Sequence, residues 1–332
     1  MGAGVGRRWG LVAGSAAAVL AVLGAVVVLG HRPDDRGQGD LPPGAQPSVA
    51  APRPPDPVRL IPRDGDSVEG SGLVVAAPGK PVMFCPPLPT AGVGTVPGQP
   101  EPPPECDAAI GVRVTGVDLG RLFEAGTRAG VRFGWGTLRG TWRQGTVAVT
   151  AQGQPAAEDP IEPPDGVPPG CAPPAGGWHP GSGTDEIGDT GFQPYLDGHA
   201  DQLAEPYIAW PHGFPSGPTD SPAYTGKVNV MVVPVVSGDV DRIRADLTRV
   251  YAGNLCVVQA PPGRFSQQHT KQVMAAVDPL MTNRSRIYQA GGEGTGRVEV
   301  RVSYLDRDLY AALSRVGLDN IVVVAWLHPT NR

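Results

Sequence analysis

Few stretches of this 332-residue chain combine residue types that could make or break bonds. The first is His212-Gly213-Phe214-Pro215-Ser216-Gly217, which places an imidazole close to a hydroxyl. A serine hydrolase needs its nucleophile on a strand–turn–helix elbow of the form GxSxG. Here Ser216 falls one place late, and prolines on both sides of it forbid the elbow. The stretch reads as a surface loop. Its functional alternative is a binding loop on which Trp210, His212 and Phe214 present rings to a partner.

The other candidates resolve in the same way. Gly291-Gly292-Glu293-Gly294-Thr295-Gly296 invites a phosphate-loop reading, but Arg297 stands where the third glycine of GxGxxG is needed. The stretch also precedes a strand, whereas that fingerprint follows a strand and opens a helix. The six histidines (His31, His179, His199, His212, His269 and His328) show no HExxH or other helical metal spacing. His269 is expected on a helix with its ring toward solvent. Asp239 with Asp241, and Asp306 with Asp308, could be catalytic pairs, but their place at helix starts assigns them to capping. Arg249 and Arg315 sit at helix C-termini, where a cation is favourable, and the alternative is a shared anion site. Asn283-Arg284-Ser285 is a formal glycosylation sequon, to which no role is assigned. No catalytic residue, metal site or cofactor is expected.

The cysteines are different. Cys85, Cys106, Cys171 and Cys256 are even in number and lack zinc spacing, so disulfides in an oxidising compartment are the default. Three pairings exist. Cys85–Cys106 with Cys171–Cys256 is favoured, because each bond would tie a proline-rich excursion to a folded neighbour.

The elements that must position these residues come from an unusual composition. Gly (47) and Pro (39) make up about a quarter of the chain, near the level of a disordered protein. With 40% hydrophobic residues, the chain can fold only if Pro and Gly are concentrated in connectors. They are. Residues 31–57 hold eight prolines and read as a stalk, 86–104 as a long loop, and 155–182 as a linker with nine prolines. Between them, residues 58–154 show short β-like runs: Leu73–Val75, Val82–Phe84, Val112 with Val114, Trp135–Thr141 and Thr146–Thr150. Residues 121–130 could hold one short helix. A small β-rich barrel or sandwich of about five strands is expected, and an OB-like barrel would suit that count.

The C-terminal part, 183–332, contains an internal repeat. ADLTRVYAGNLCVV (245–258) and AALSRVGLDNIVVV (311–324) agree at seven of fourteen positions with an offset of 66. Each copy has a strand before it (Val228–Val236 and Arg297–Leu305), so the unit is βαβ used twice. A helix near Ser266–Val277, capped by Ser266, joins the copies. Tyr207–Trp210 reads as an edge strand, with an amphipathic turn near Phe192–Leu203 ahead of it. The expectation is an α+β protein whose C-terminal domain is a two-layer α/β sandwich, ferredoxin-like or related.

Trp9 to Gly30 is an uncharged run of 22 residues, long enough at ~1.5 Å per residue to span a bilayer core. Arg7 and Arg8 precede it, and Asp34 and Asp35 follow. The positive-inside rule puts residues 1–8 in the cytoplasm and everything after the span outside. A cleaved signal peptide would have a shorter apolar region and a clearer small-residue site. The net charge of −5 becomes more negative once Arg7 and Arg8 are set aside, which argues against nucleic acid and anionic lipid as partners.

Several phrases resemble a group of actinobacterial membrane-anchored envelope proteins. They are APGKPVMFC (77–85), CDAAIGVRVTGVDL (106–119), GTWRQGTVAVT (140–150), CAPPAGGW (171–178) and NLCVV (254–258). The resemblance implies a signal-anchor topology and a two-domain ectodomain, and it carries no activity or site residues. The expected function is that of an extracytoplasmic binding or interaction protein at the cell membrane. A protein or cell-wall component is its expected partner. The alternative is an envelope enzyme with a site near His212 and the inter-domain cleft.

Overall fold

β1 (Ser67–Ala76) is the strand on which the N-terminal half is built. It pairs along its whole length with β5 (Val131–Arg143) on one side. On the other side Leu73–Val75 pair with β2 (Met83–Cys85). β2 pairs with β3 (Val112–Thr115), β3 runs parallel to β6 (Thr146–Gly153), and β6 returns to β5. The five strands therefore close on themselves. The computed structural model describes residues 56–88, 102–156, 169–180, 191–213, 227–281 and 286–330. The expected span at 9–30, nearly all of the stalk and the sequon lie outside them. Among the described residues no helix is long and apolar enough to cross a membrane.

Tight turns set the register of the barrel. Gln144 and Gly145 both have positive φ (48° and 79°) between β5 and β6, the backbone that matches the twist of paired strands. Residues 121–130 depart from the sequence reading. They form β4 (Phe123–Arg128) rather than a helix, because Ala129 and Gly130 (φ 45° and 78°) turn the chain straight back into β5. The hairpin supplies hydrogen bonds that an isolated helical turn would lack.

The interior of the barrel holds Val68, Val74, Phe84, Val112, Leu138, Trp142 and Val147, and it also holds residues far along the chain. Trp326 and Leu327 enter this core, and His328–Pro329 form β13 beside Val68 and Glu69 of β1. The Trp326 ring lies 4.5 Å from that of Phe84, and its Nε1 donates to the Ser71 carbonyl at 2.6 Å. Glycine makes the approach sterically allowed. A Cβ on Gly72 would stand 2.1 Å from the Cys85 carbonyl oxygen and 2.9 Å from the Trp326 ring.

The repeat is longer than the sequence identity suggests. Its first copy runs α1 (Phe192–Gly198), β7 (Tyr207–Ala209), β8 (Val230–Val235), α2 (Val240–Leu247), β9 (Leu255–Gln259). Its second runs α3 (Gln267–Val277), β10 (Ile287–Gly292), β11 (Val298–Val302), α4 (Arg307–Val316), β12 (Ile321–Ala325). In each, an antiparallel and a parallel neighbour flank the middle strand. This corrects the ferredoxin-like expectation. A shared sheet needs a free side on each middle strand, and β8 and β11 have none, so there are two three-stranded sheets. Asp239 and Asp306 cap α2 and α4, and Ser266 caps α3, as their positions require.

The two copies diverge on the sheet face away from the helices. In the first copy Val230, Val232 and Cys256 are buried there under Cys171 and Trp178 of the proline-rich segment. The Cys171–Cys256 disulfide and reciprocal hydrogen bonds between Asn254 and the His179 backbone hold that cover down. The corresponding face of the second copy carries the Glu299–Arg301 ion pair. A covered face must be apolar, and an uncovered one tolerates charge.

The glycine argument predicts a contrast measurable by denaturant unfolding. Gly72→Ala should cost about 1–3 kcal/mol or more through overpacking, while Gly153→Ala, whose Cβ meets nothing within 4 Å, should stay within roughly 0.5 kcal/mol of the parent.

Candidate functional site

The residues singled out for chemistry do not converge. His212 is exposed on a turn closed by the Gly213 N–H donating to the Trp210 carbonyl at 3.1 Å. Trp210 is buried and presents no ring to a partner, while Phe214 and Ser216 lie outside the described residues. Gly291–Gly296 is the β10–β11 hairpin, pinned by Glu293 N–H to the Arg297 carbonyl at 2.7 Å. His269 is half-buried rather than solvent-facing. Its ring stacks on Phe265 with centroids 4.3 Å apart, because the start of α3 is roofed by the 293–296 turn. Asp239 accepts from the Asp241 and Arg242 N–H groups, and Asp241 pairs with Arg244. Asp306 accepts from the Leu309 N–H at 2.8 Å and pairs with Arg286. Arg249 pairs with Asp246, and Arg315 is exposed at the end of α4. Among the described residues, no three His, Cys, Asp or Glu side chains are grouped to hold a metal.

The four cysteines form two bonds, Cys85–Cys106 and Cys171–Cys256, with Cα separations of 5.9 and 6.0 Å. The first bond bounds a cleft of about 680 Å³ on the outer wall of the barrel. That volume falls in the range of roughly 300–1,000 Å³ usual for small-molecule sites. Its floor is one transverse row of the sheet. Val75 is opposite Met83, Met83 opposite Arg113, and Arg113 opposite Thr146, one residue from each of β1, β2, β3 and β6. Since successive residues of a strand face opposite ways, Val74, Phe84, Val112 and Val147 point into the core and this row points out.

The roof is the loop that the disulfide ties down. Asp107 folds its end, accepting from the Ala109 N–H at 2.8 Å through its side chain and from the Gly111 N–H at 2.7 Å through its carbonyl. Gly111 lets this turn lie on the wall. A Cβ there would stand 2.8 Å from Cys106 Sγ and 3.0 Å from Met83 Cε.

Tyr304, from the segment after β11, completes the cleft beside the Gln144-Gly145 turn. Its ring meets Trp142 edge-on with centroids 4.7 Å apart, and the Arg286 guanidinium lies 4.1 Å above it. Arg286 is fixed in turn by Asp306, the cap of α4. Lys80, Glu105 and Arg113 also line the cleft. Sequence reading missed all of these. The alternation Val112-Arg113-Val114 does mark Arg113 as outward-facing, but nothing local to a strand reveals which neighbours share its row.

A second cleft of about 440 Å³ lies between the 3₁₀ turn Pro57–Leu60 and β12, lined mainly by Tyr310, Leu318 and Ile321–Val323. No family model, curated protein or solved structure matches this chain.

Burial pushes the Tyr304 and Tyr288 hydroxyls above the ordinary tyrosine range, and the adjacent arginines, Arg286 and Arg301, oppose the shift only in part. The folded state thus favours the neutral phenol. Stability is complete below pH ~10 and is lost as pH rises from there through the higher folded-state values. Tyrosinate absorbance should show a late-titrating fraction that Tyr304→Phe reduces by one tyrosine. Simultaneous titration of all tyrosines near pH 10 would contradict this assignment.

Proposed function

We propose that the chain is a membrane-anchored, extracytoplasmic binding protein of the cell envelope, and that it engages its partner through the cleft bounded by the Cys85–Cys106 bond. One observation carries the reading: an apolar floor, Val75 and Met83, is ringed by Lys80 and Arg113, neither of which has an ion-pair partner among the described residues. Unpaired cations around an apolar surface are what a recognition site presents, with the apolar part supplying area and the charges supplying orientation.

The address rests on other observations. Two disulfides suit an oxidising compartment. The uncharged run Trp9–Gly30 behind Arg7 and Arg8 supports a single span with a cytoplasmic N-terminus. The proline-rich stalk would hold the folded part away from the bilayer. The five-strand closure supports an OB-like description of the barrel, used here as a scaffold for the cleft rather than for nucleic acid, since the net charge is negative.

The test uses the full-length chain in intact cells, with a photo-reactive residue replacing Gln144 on the cleft wall. Irradiation should give a covalent adduct in the membrane fraction, weakened about tenfold by Arg113→Gln. Recovery of the chain in the soluble cytoplasmic fraction, or an adduct indifferent to Arg113, would overturn the proposal.

A further inference from the structure

Three charged side chains enter the cleft: Lys80 from the β1–β2 turn, Arg113 from β3, and Glu105 from the disulfide-tied loop. Some charges elsewhere are paired within the chain, as in Glu69–Arg139, Asp197–Lys271 and Arg286–Asp306. Within the cleft, none of the three has an ion-pair partner among the described residues. The neighbouring Asp107 is not a spare carboxylate, because its oxygen caps its own turn. The lining thus offers two positive charges, one negative charge and an aliphatic floor.

From this set we infer that the cleft takes a short peptide or amino-acid derivative bearing two carboxylates and one ammonium, its aliphatic portion seated on Val75 and Met83. The inference rests on the reading of the cleft as a binding site and specifies its ligand. The guanidinium of Arg113 presents paired donors that match a carboxylate in two-point fashion, and the Lys80 ammonium serves the second carboxylate as a point charge. Glu105 receives the ligand's ammonium. A neutral ligand would cover three charges without compensating any of them, which is costly. Inorganic phosphate or a phosphorylated ligand without an amino group would meet both cations but would face Glu105 unscreened. Gln144, Thr146 and Tyr304 also line the cleft, and their side chains are of the kinds that hydrogen-bond to amides.

Calorimetric titration of the full-length chain in nanodiscs tests the inference with four probes: the dipeptide Ala–Glu, its N-acetyl form, the neutral Ala–Gln amide blocked at both ends, and inorganic phosphate. Ala–Glu should bind best, and Arg113→Gln and Lys80→Gln should each weaken it about tenfold. Glu105→Gln should weaken Ala–Glu yet leave N-acetyl-Ala–Glu unchanged or tighter. A folding defect cannot produce that inversion. Tighter binding of phosphate or of the neutral amide, or an equal effect of Glu105→Gln on both dipeptides, would overturn the ligand class. So would failure of all four probes to bind. The Gln144 photo-adduct decides separately whether the cleft is a binding site, so the two readings can fail independently.

Discussion

The contact between Trp326 and the glycine-bearing strand β1 holds this molecule together. A side chain at 72 would clash with the indole, its Cβ standing 2.9 Å from the Trp326 ring and 2.1 Å from the Cys85 carbonyl oxygen. One at 70 would press on Trp326 and Leu327 at 3.3 Å. With glycine there, residues near the end of the chain fill the barrel interior and pair with its first strand. Burying a Trp at this depth contributes on the order of 3–5 kcal/mol, as judged from the usual cost of truncating one. The same docking fixes the region of Tyr304, whose ring rests on Trp142 of β5. The cleft wall that Tyr304 forms is therefore a consequence of how the barrel is plugged.

A second constraint is that two copies of one αββαβ unit must each bury a sheet on both faces or tolerate charge on one. Helices cover one face in both copies, as shown by the clusters around Ile243 and Leu247 and around Val273 and Leu313. The other face is handled differently. Copy one recruits the segment carrying Cys171 and Trp178, and copy two substitutes Glu299 and Arg301. Each disulfide fastens a proline-rich excursion to a strand, β2 in one case and β9 in the other. Proline-rich chain buries little apolar surface of its own, so a covalent tie does what packing cannot.

Much of this was legible in the sequence where the signal is local. Periodicity located β3, β5 and β6, and the N-cap residues Asp239, Ser266 and Asp306 fall where helices begin. The repeat identified two related units, and the proline-rich excursions suggested which cysteines join. Misreadings arose where the deciding partner is distant. The stretch 121–130 became a strand because β5 was available to pair with it. The βαβ units did not merge, because β7 and β10 had taken the free sides of β8 and β11. The cleft was invisible for the same reason. Val75, Met83, Arg113 and Thr146 become neighbours only through the registers of four strands, and Tyr304 joins them from nearly 160 residues away.

Hydrogen–deuterium exchange on the full-length chain and its Trp326→Ala variant tests most directly whether the plugged barrel organises the cleft. If it does, amides of β1, β2, the 102–111 loop and the segment around Tyr304 should lose protection together, while β8 and β9 keep theirs. Loss confined to residues 326–330, with the cleft-forming strands as protected as in the parent, would contradict the account.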